Sequence, residues 1–310
     1  MGKLINLKNK KLIVFGGSGF LGSFIVRRAL EMGMKVTSVS SRRRSCDLDS
    51  HENLETHFFD ILHEPFGIIA KNNFDYVVNC IGYIDHSSFN EDTNIIDTHF
   101  LGLMKIIKNL KRSKIKKFIN IGSSDEYGKI DSSAAEWQRE EPHTPYAFSK
   151  AASSHFIQML YRNIDFPGIT LRPFLVYGPF QSKERLIPYV IDSCLQNRNF
   201  DVTEGSQLRD FLYISDFVDA VFSSFLSDKK SNGKIFNIGS GNAISIQELV
   251  AIIQSKCNGG SPRFGGKKLH KKESDKIVAS IDIANHFLDW SPKINISDGL
   301  DLTIDSFCNE

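Results

Sequence analysis

Leu12-Ile13-Val14-Phe15-Gly16-Gly17-Ser18-Gly19-Phe20-Leu21-Gly22 decides the fold. The apolar run Leu12–Phe15 predicts a strand, glycines end it, and Phe20, Leu21, Phe24, Ile25 and Ala29 recur behind them at helical spacing. Glycines at 16, 19 and 22 give GxxGxxG; those at 17, 19 and 22 also satisfy GxGxxG. Between a strand and a helix, glycines let the backbone turn tightly and approach a pyrophosphate, whose charge sits at the helix N-terminus. The candidate cofactor-binding residues here are Gly16, Gly19, Phe20, Leu21 and Gly22. The competing reading is a glycine-rich turn with no ligand.

Working outward, short apolar runs alternate with longer amphipathic ones. Strand candidates are Lys35–Val39, His57–Phe59, Tyr76–Val78, Phe118–Ile121 and Ile169–Leu171. Helical patterns fit between several of them, notably Ile95–Leu110 and Ala147–Tyr161. This alternation predicts an α/β fold: a Rossmann-type, doubly wound parallel sheet with ligands at the carboxyl ends of its strands. After Gly178-Pro179 the pattern changes, with helices predicted at Leu186–Leu195 and Ile246–Ile253 among short strands and loops. The expected division is a dinucleotide-binding domain over residues 1–178, to which the chain returns around 211–240. Residues 179–310 then form a smaller C-terminal α/β region, mainly for substrate.

Composition excludes other classes. The 310 residues carry 38 Lys+Arg against 36 Asp+Glu, with 41% hydrophobic and 24% charged residues, as in an ordinary globular protein. No run of 18 apolar residues exists, so no membrane span is expected. The polar, lysine-rich start does not read as a signal peptide, and Asn6 stands where a myristoylation motif needs Ser or Thr. The expected compartment is the cytoplasm. The near-neutral charge of +2 argues against nucleic acid as a partner. The basic runs Lys105–Lys117 and Lys267–Lys272 read as solvated faces. Five scattered cysteines without a CxxC, and histidines without an HExxH, predict reduced thiols and no metal. His51, His57 and His63 match neither a helix face nor a strand face and read as surface residues.

At the end of the second strand, where a dinucleotide site often carries an acid for the adenosine ribose, stands Ser40-Ser41-Arg42-Arg43-Arg44. Without a carboxylate, a 2′-phosphate is not repelled and guanidinium groups can pair with it. Ser41 and Arg42 thus lean towards NADP. The alternative is a loop of solvated arginines with NAD held by other contacts, so the cofactor is NAD or NADP. Asp60, after the third strand, is placed to reach the adenine.

Tyr146-Ala-Phe-Ser-Lys150 puts a phenol and an ammonium one helical turn apart on one face. A nearby ammonium favours the phenolate, fitting Tyr146 to exchange a proton with a substrate hydroxyl. Gly122-Ser123-Ser124-Asp125-Glu126-Tyr127-Gly128 follows an apolar strand, where a hydroxyl can reach the reacting oxygen. Singly, these are an ordinary helix face and a strand-end turn; with the glycine turn they form a candidate site.

These segments, with Leu171–Pro179, Arg209–Tyr213 and Phe236–Gly239, resemble the extended short-chain dehydrogenase/reductase family over essentially the whole chain, in its nucleotide-sugar epimerase/dehydratase branch. The resemblance implies catalysis by Ser123, Tyr146 and Lys150, with Tyr146 as general acid/base and Lys150 also holding the nicotinamide ribose. It implies substrate contacts at Ser124 and Asp125, a phosphate contact at Arg209, and another at Lys271 or Lys272. Three departures matter. Dehydratases of this branch carry Asp-Glu after the catalytic Thr; here the pair is Ser124-Asp125, which puts dehydration in doubt. Leu175 stands where many relatives have a substrate-contacting Asn, and His99 where they have a site-organising one.

The implied activity is NAD(P)-dependent oxidation or reduction at C4 of a nucleoside-diphosphate sugar (4-dehydrogenase or 4-reductase), feeding surface polysaccharide. The alternatives are a 4-epimerase and, from another class, a non-catalytic nucleotide-binding scaffold or redox sensor. The resemblance also implies a homodimer through the helices at Ile95–Leu110 and Ala147–Tyr161.

Overall fold

In strand β1 (Lys11–Phe15) every residue after Lys11 is buried, and the two faces serve different cores. Leu12 and Val14 enter one apolar cluster; Ile13 and Phe15 enter the other. A strand covered on both faces needs an unbroken apolar run, which is why the sequence shows no alternation there. The computed structural model describes residues 7–42, 51–67, 69–84, 94–130, 132–268 and 274–308.

After β1 come α1 (Phe20–Glu31), β2 (Lys35–Ser40), β3 (Leu54–Phe58), β4 (Tyr76–Asn79), α2 (Asn94–Ile96), a π turn (Asp97–Leu101), α3 (Gly102–Asn109), β5 (Lys117–Ile121), α4 (Pro145–Ile164) and β6 (Gly168–Pro173). There follow β7 (Leu175–Tyr177), α5 (Leu186–Leu195), β8 (Asn199–Asp201), β9 (Leu208–Arg209), β10 (Phe211–Tyr213), α6 (Ile214–Leu226) and β11 (Ile235–Ile238). The chain ends with β12 (Ile244–Ser245), α7 (Ile246–Cys257), β13 (Ser261–Arg263), β14 (Lys276–Ile277), α8 (Asp282–Leu288) and α9 (Ile296–Cys308).

The central sheet has seven strands in the order β11-β6-β5-β4-β1-β2-β3, all parallel. The order reverses between β1 and β4, so the crevice for a ligand opens at their carboxyl ends. One face packs Ile25, Val26 and Ala29 of α1 with Phe217 and Val221 of α6. The other packs Leu103 and Ile106 of α3 with Ile157 and Leu160 of α4. This is the doubly wound Rossmann-type architecture.

The last strand of the sheet, β11, comes from beyond residue 210. Small sheets β10-β7, β12-β9-β14 and β13-β8 make up the remainder of the second half. The fully buried carboxylate of Asp210 ties them to the end of β11. It accepts hydrogen bonds from Ser240 N and Oγ (2.6 and 2.7 Å), Gly241 N (3.0 Å) and Ala279 N (3.1 Å).

Several expectations need correcting. The third strand is Leu54–Phe58, because Glu55 and His57 interleave its apolar residues at the sheet edge. The helix predicted over Ile95–Leu110 is broken by the π turn. Lys117, read as part of a solvated run, is buried: its ammonium donates to Asp228 O, Ser231 Oγ and Asn232 Oδ1 at 2.8, 2.6 and 2.7 Å. Three acceptors in one cage compensate the lost water. His51 and His57 are half-buried, each engaged locally, while His63 is exposed. Among the described residues no helix is long and apolar enough to cross a membrane, and no group of three or more His, Cys, Asp or Glu could hold a metal ion.

Candidate active site

The glycine turn closes the space between β1 and its neighbours. Gly16 N and Gly17 N donate to Val39 O, Gly19 N donates to Gly16 O, and Ser18 N donates to Ser40 Oγ. Gly16 adopts φ +81°, and a Cβ there would lie 2.7 Å from Cys80 O. A Cβ on Gly22 would lie 2.1 Å from Gly16 O, so helix and turn touch backbone to backbone. Gly19 differs: its Cβ would meet only Gly16 O, at 3.2 Å, and its remaining surroundings are open. Gly19 caps α1 with no side chain, and the first turn holds no acid. The leading amides of α1, at Phe20 and Leu21, have no intrahelical acceptor and meet an anion with the positive end of the helix dipole. This cradle fits the pyrophosphate of a dinucleotide.

Ser41 and Arg42 are exposed just past β2, on the same edge of the crevice; Arg43 and Arg44 lie outside the described residues. Asp60 stands after β3, with one carboxylate oxygen on Leu62 N (2.8 Å) and the other on His63 Nδ1 (2.9 Å). The His63 and Leu62 bonds hold its pKa below the ordinary value. Asp60 is thus engaged within its own loop, although its side chain is accessible.

Thr144 caps α4 by accepting from Ala147 N, and Pro145 supplies a preformed first turn. Tyr146 and Lys150 therefore fall on the same buried helix face, with the ammonium 5.9 Å from the phenol ring centroid. β5 delivers Ser123 close enough to the Tyr146 phenol that its hydroxyl lowers the phenol's pKa. Lys150 Nζ donates to Ile121 O at 2.8 Å, tying α4 to the end of the same strand. The structure thus gathers Ser123, Tyr146 and Lys150 at the carboxyl end of β5.

The electrostatics differ from the sequence expectation. Burial pushes the Tyr146 phenol above its ordinary value and the nearby Asp125 carboxylate adds to the rise, while the Ser123 hydroxyl and the Arg185 charge oppose it. Burial also pushes Lys150 down to about 8, against the attraction of Glu126. Desolvation is the largest cause for both groups, raising the phenol and lowering the ammonium.

His99, on the π turn, packs edge-on to Tyr146 with ring centroids 5.3 Å apart, and its Nε2 donates to Tyr83 O at 2.9 Å. Gly82, at φ +127°, makes room for it: a Cβ would fall 1.8 Å from the imidazole Cε1. Burial, with the charge of Lys150, holds this imidazole well below its ordinary pKa, so it is neutral.

Ser124 is buried beside Ser123, and Asp125 is half-buried near the phenol. Arg209 is buried on β9 with Nη1 donating to Leu208 O at 2.9 Å. Leu175 is exposed on β7. Lys271 and Lys272 lie outside the described residues. Sequence reasoning missed Arg185, which stands just ahead of α5 and acts on the phenol. It also missed the buried Glu126–Arg172 pair, in which Arg172 Nε donates to Glu126 Oε2 at 2.8 Å. The Ser-x-x-Glu spacing of Ser123 and Glu126 signals a capping box and points to this glutamate.

Comparison with known proteins places the chain in a family and a fold. The sequence profile of the NAD dependent epimerase/dehydratase family matches residues 12–239. The human dTDP-D-glucose 4,6-dehydratase is 25% identical over 96% of this chain and 89% of its own length. The Escherichia coli dTDP-4-dehydro-6-deoxyglucose reductase is 24% identical over 97% of this chain and 99% of its own. Among solved structures, Pal from Bacillus thuringiensis superimposes with a TM-score of 0.86 at 25% identity, covering 96% of this chain and 99% of that one. The UDP-glucuronic acid 4-epimerase from Bacillus cereus, solved with UDP-glucuronic acid and NAD, has the same fold, with a TM-score of 0.88 at 23% identity and the same coverage. A profile match running from β1 to the end of β11 spans the glycine turn and the Ser123–Tyr146–Lys150 cluster together, and on that ground the chain belongs to the NAD-dependent epimerase/dehydratase family of short-chain dehydrogenase/reductase-type enzymes.

Proposed function

We propose that the protein catalyses NAD(P)-dependent hydride transfer at C4 of a nucleoside-diphosphate sugar, with 4-reduction or its reverse as the net reaction. The observation that carries this reading is the gathering of buried Ser123, Tyr146 and Lys150 at the carboxyl end of β5, with the Lys150 ammonium 5.9 Å from the phenol ring centroid. The nicotinamide, held with its pyrophosphate on Gly16–Gly22, supplies or accepts the hydride. Tyr146 exchanges the proton at the C4 oxygen, and Ser123 Oγ hydrogen-bonds that oxygen. The buried ammonium of Lys150 offsets charge developing on the phenol and would hold the nicotinamide ribose of a bound cofactor. Ser124, in place of the first acid of the dehydratases, supports a reaction without elimination. Similarity to the reductase over 99% of its length is consistent with this.

Asp125, Ser124 and Arg209 are the proposed substrate contacts, with Lys271 on the sugar-nucleotide phosphates. Residues 179–310 form the substrate region apart from the return through β11. Ser41 and Arg42 favour NADP; with NAD retained through turnover, the same residues would perform 4-epimerisation, the second reading that the family supports. Exposed Leu101, Phe148, Met159 and Ile164, on the π turn and α4, support a homodimer through these elements. The proposed setting is the cytoplasm, in synthesis of surface-polysaccharide sugars.

The test is to mix the protein with NADH or NADPH and a panel of 4-keto nucleotide sugars, following the near-ultraviolet absorbance of the reduced nicotinamide and the sugar by NMR. Loss of absorbance with a C4 hydroxyl product supports the reductase. Inversion at C4 of a 4-hydroxy sugar without net absorbance change supports the epimerase. Loss of water across C5 and C6 would overturn both readings.

A further inference from the structure

We propose that Glu126 is a positioning residue for the reaction, fixing Ser123 and α4 in register through a fully buried carboxylate. The inference rests on the role given above to Ser123 and Tyr146. A glutamate that closes a capping box usually keeps its carboxylate at the surface. Here the side chain is completely buried, and each oxygen has a separate task. Oε1 accepts from Ser123 N at 2.8 Å, fixing the peptide that carries the hydroxyl. Oε2 accepts from Ser154 Oγ of α4 at 2.7 Å and from Arg172 Nε of β6 at 2.8 Å, with Arg172 Nη2 also at 2.7 Å. The turn that holds Ser123, the helix that holds Tyr146 and Lys150, and the neighbouring strand therefore meet on one side chain.

The surroundings are built for this node. Gly122 is a glycine at a place where a Cβ would fall 2.3 Å from Glu126 Oε1. Arg172 is itself fully buried, lies over the Tyr127 ring at 4.7 Å and also grips Glu140, which reaches the exposed His155 at 3.3 Å. Carboxylate, guanidinium and carboxylate thus alternate from Glu140 through Arg172 to Glu126 and the Ser123 amide. Glu126 also raises the pKa values of both Lys150 and Tyr146, so its charge is felt at the reacting groups as well as its hydrogen bonds. Small misplacements of reacting groups are costly: about 1 Å suffices for roughly a 10²-fold loss of rate.

A merely structural ion pair would lower stability and leave the folded enzyme's kcat alone. Positioning predicts otherwise for Glu126→Gln, whose single carbonyl oxygen satisfies either Ser123 N or the Arg172 side but not both. We expect kcat to fall by about 10²-fold with KM and nucleotide affinity within about threefold of wild type. In the Ser123→Ala background the same change should cost less than about threefold, because the two act as one unit. A readout independent of turnover is hydrogen exchange. Peptides containing the Ser123 amide should lose protection in Glu126→Gln while those covering Phe118–Ile121 keep it. Should Glu126→Gln fail to fold, Ser154→Ala removes one of the donors to Glu126 Oε2 while Arg172 still pairs the charge, and should give a folded, somewhat less stable enzyme with kcat lowered severalfold. A folded Glu126→Gln enzyme with wild-type kcat, losses that multiply with Ser123→Ala, or unchanged Ser123 protection would overturn the proposal. A wild-type enzyme inert towards every nucleotide sugar, with the exchange result as predicted, would instead overturn the function assigned above.

Discussion

Two glycines of the same turn are constrained for different reasons, and alanine separates them. At Gly22 a Cβ would stand 2.1 Å from Gly16 O and 2.9 Å from Gly17 Cα, all backbone atoms. The methyl must push helix α1 off the turn. Overpacking usually costs about 1–3 kcal/mol, and rigid neighbours put Gly22→Ala near the top, about 3 kcal/mol, or about 5 °C in Tm for a chain of this size. At Gly19 the nearest atom to a Cβ is Gly16 O at 3.2 Å, and the backbone has negative φ. Gly19→Ala should therefore change stability by less than about 0.5 kcal/mol, since alanine also restricts the unfolded chain. Its methyl would project into the space assigned to the pyrophosphate, and we expect dinucleotide affinity to fall at least about tenfold, or about 1.4 kcal/mol. Thermal melts without nucleotide and fluorescence titration with NADH and NADPH read the two effects separately. A Gly19→Ala protein that binds the dinucleotide as tightly as wild type would refute a pyrophosphate held against this turn. A Gly22→Ala protein of wild-type stability would refute the close helix–turn contact.

Other predictions follow from the buried charges and the exposed apolar face. Burial lowers Lys117 to about 8 in the folded chain, against 10.5 unfolded, so from pH about 8 to about 10.5 the unfolded chain holds a proton the folded one has lost, and rising pH favours folding. The stability difference between wild type and Lys117→Met, from urea denaturation, should be flat below pH about 8 and grow above it; a difference that shrinks would mean the three acceptors outweigh burial and would contradict the lowered pKa. Arg172→Ala strands the buried Glu126 carboxylate and should cost about 3–5 kcal/mol by the same assay, whereas a loss below about 1 kcal/mol would contradict the pairing. Light scattering should find a dimer that Phe148→Asp converts to monomer; a monomeric wild type refutes the helix-mediated interface.

The glycine turn and strand–helix alternation were legible in the sequence because each is local. A strand buried on both faces is an apolar run, and a phosphate-accommodating turn must be glycine. Tyr146 and Lys150 were legible because four residues make one helical turn. What was illegible depends on residues distant in the chain. Glu126 meets Arg172 only after β6 is laid beside β5, 46 residues later. Lys117 sits in a run of lysines that are otherwise exposed, and only packing against residues 228–232 buries it. The π turn has no compositional signature; it inserts one residue into a helix and brings His99 against Tyr146. The phenol's pKa illustrates the same limit: the spacing to Lys150 is local, but the burial that raises the phenol is not.

The most direct measurement is turnover and nucleotide binding by Tyr146→Phe, side by side with wild type on whichever nucleotide sugar the wild type consumes. Removing one hydroxyl from a buried ring leaves the glycine cradle untouched. The account predicts that dinucleotide affinity is retained while kcat falls by about 10²- to 10⁴-fold. A Tyr146→Phe enzyme that turns over at the wild-type rate would contradict proton transfer by Tyr146, and with it the active site described.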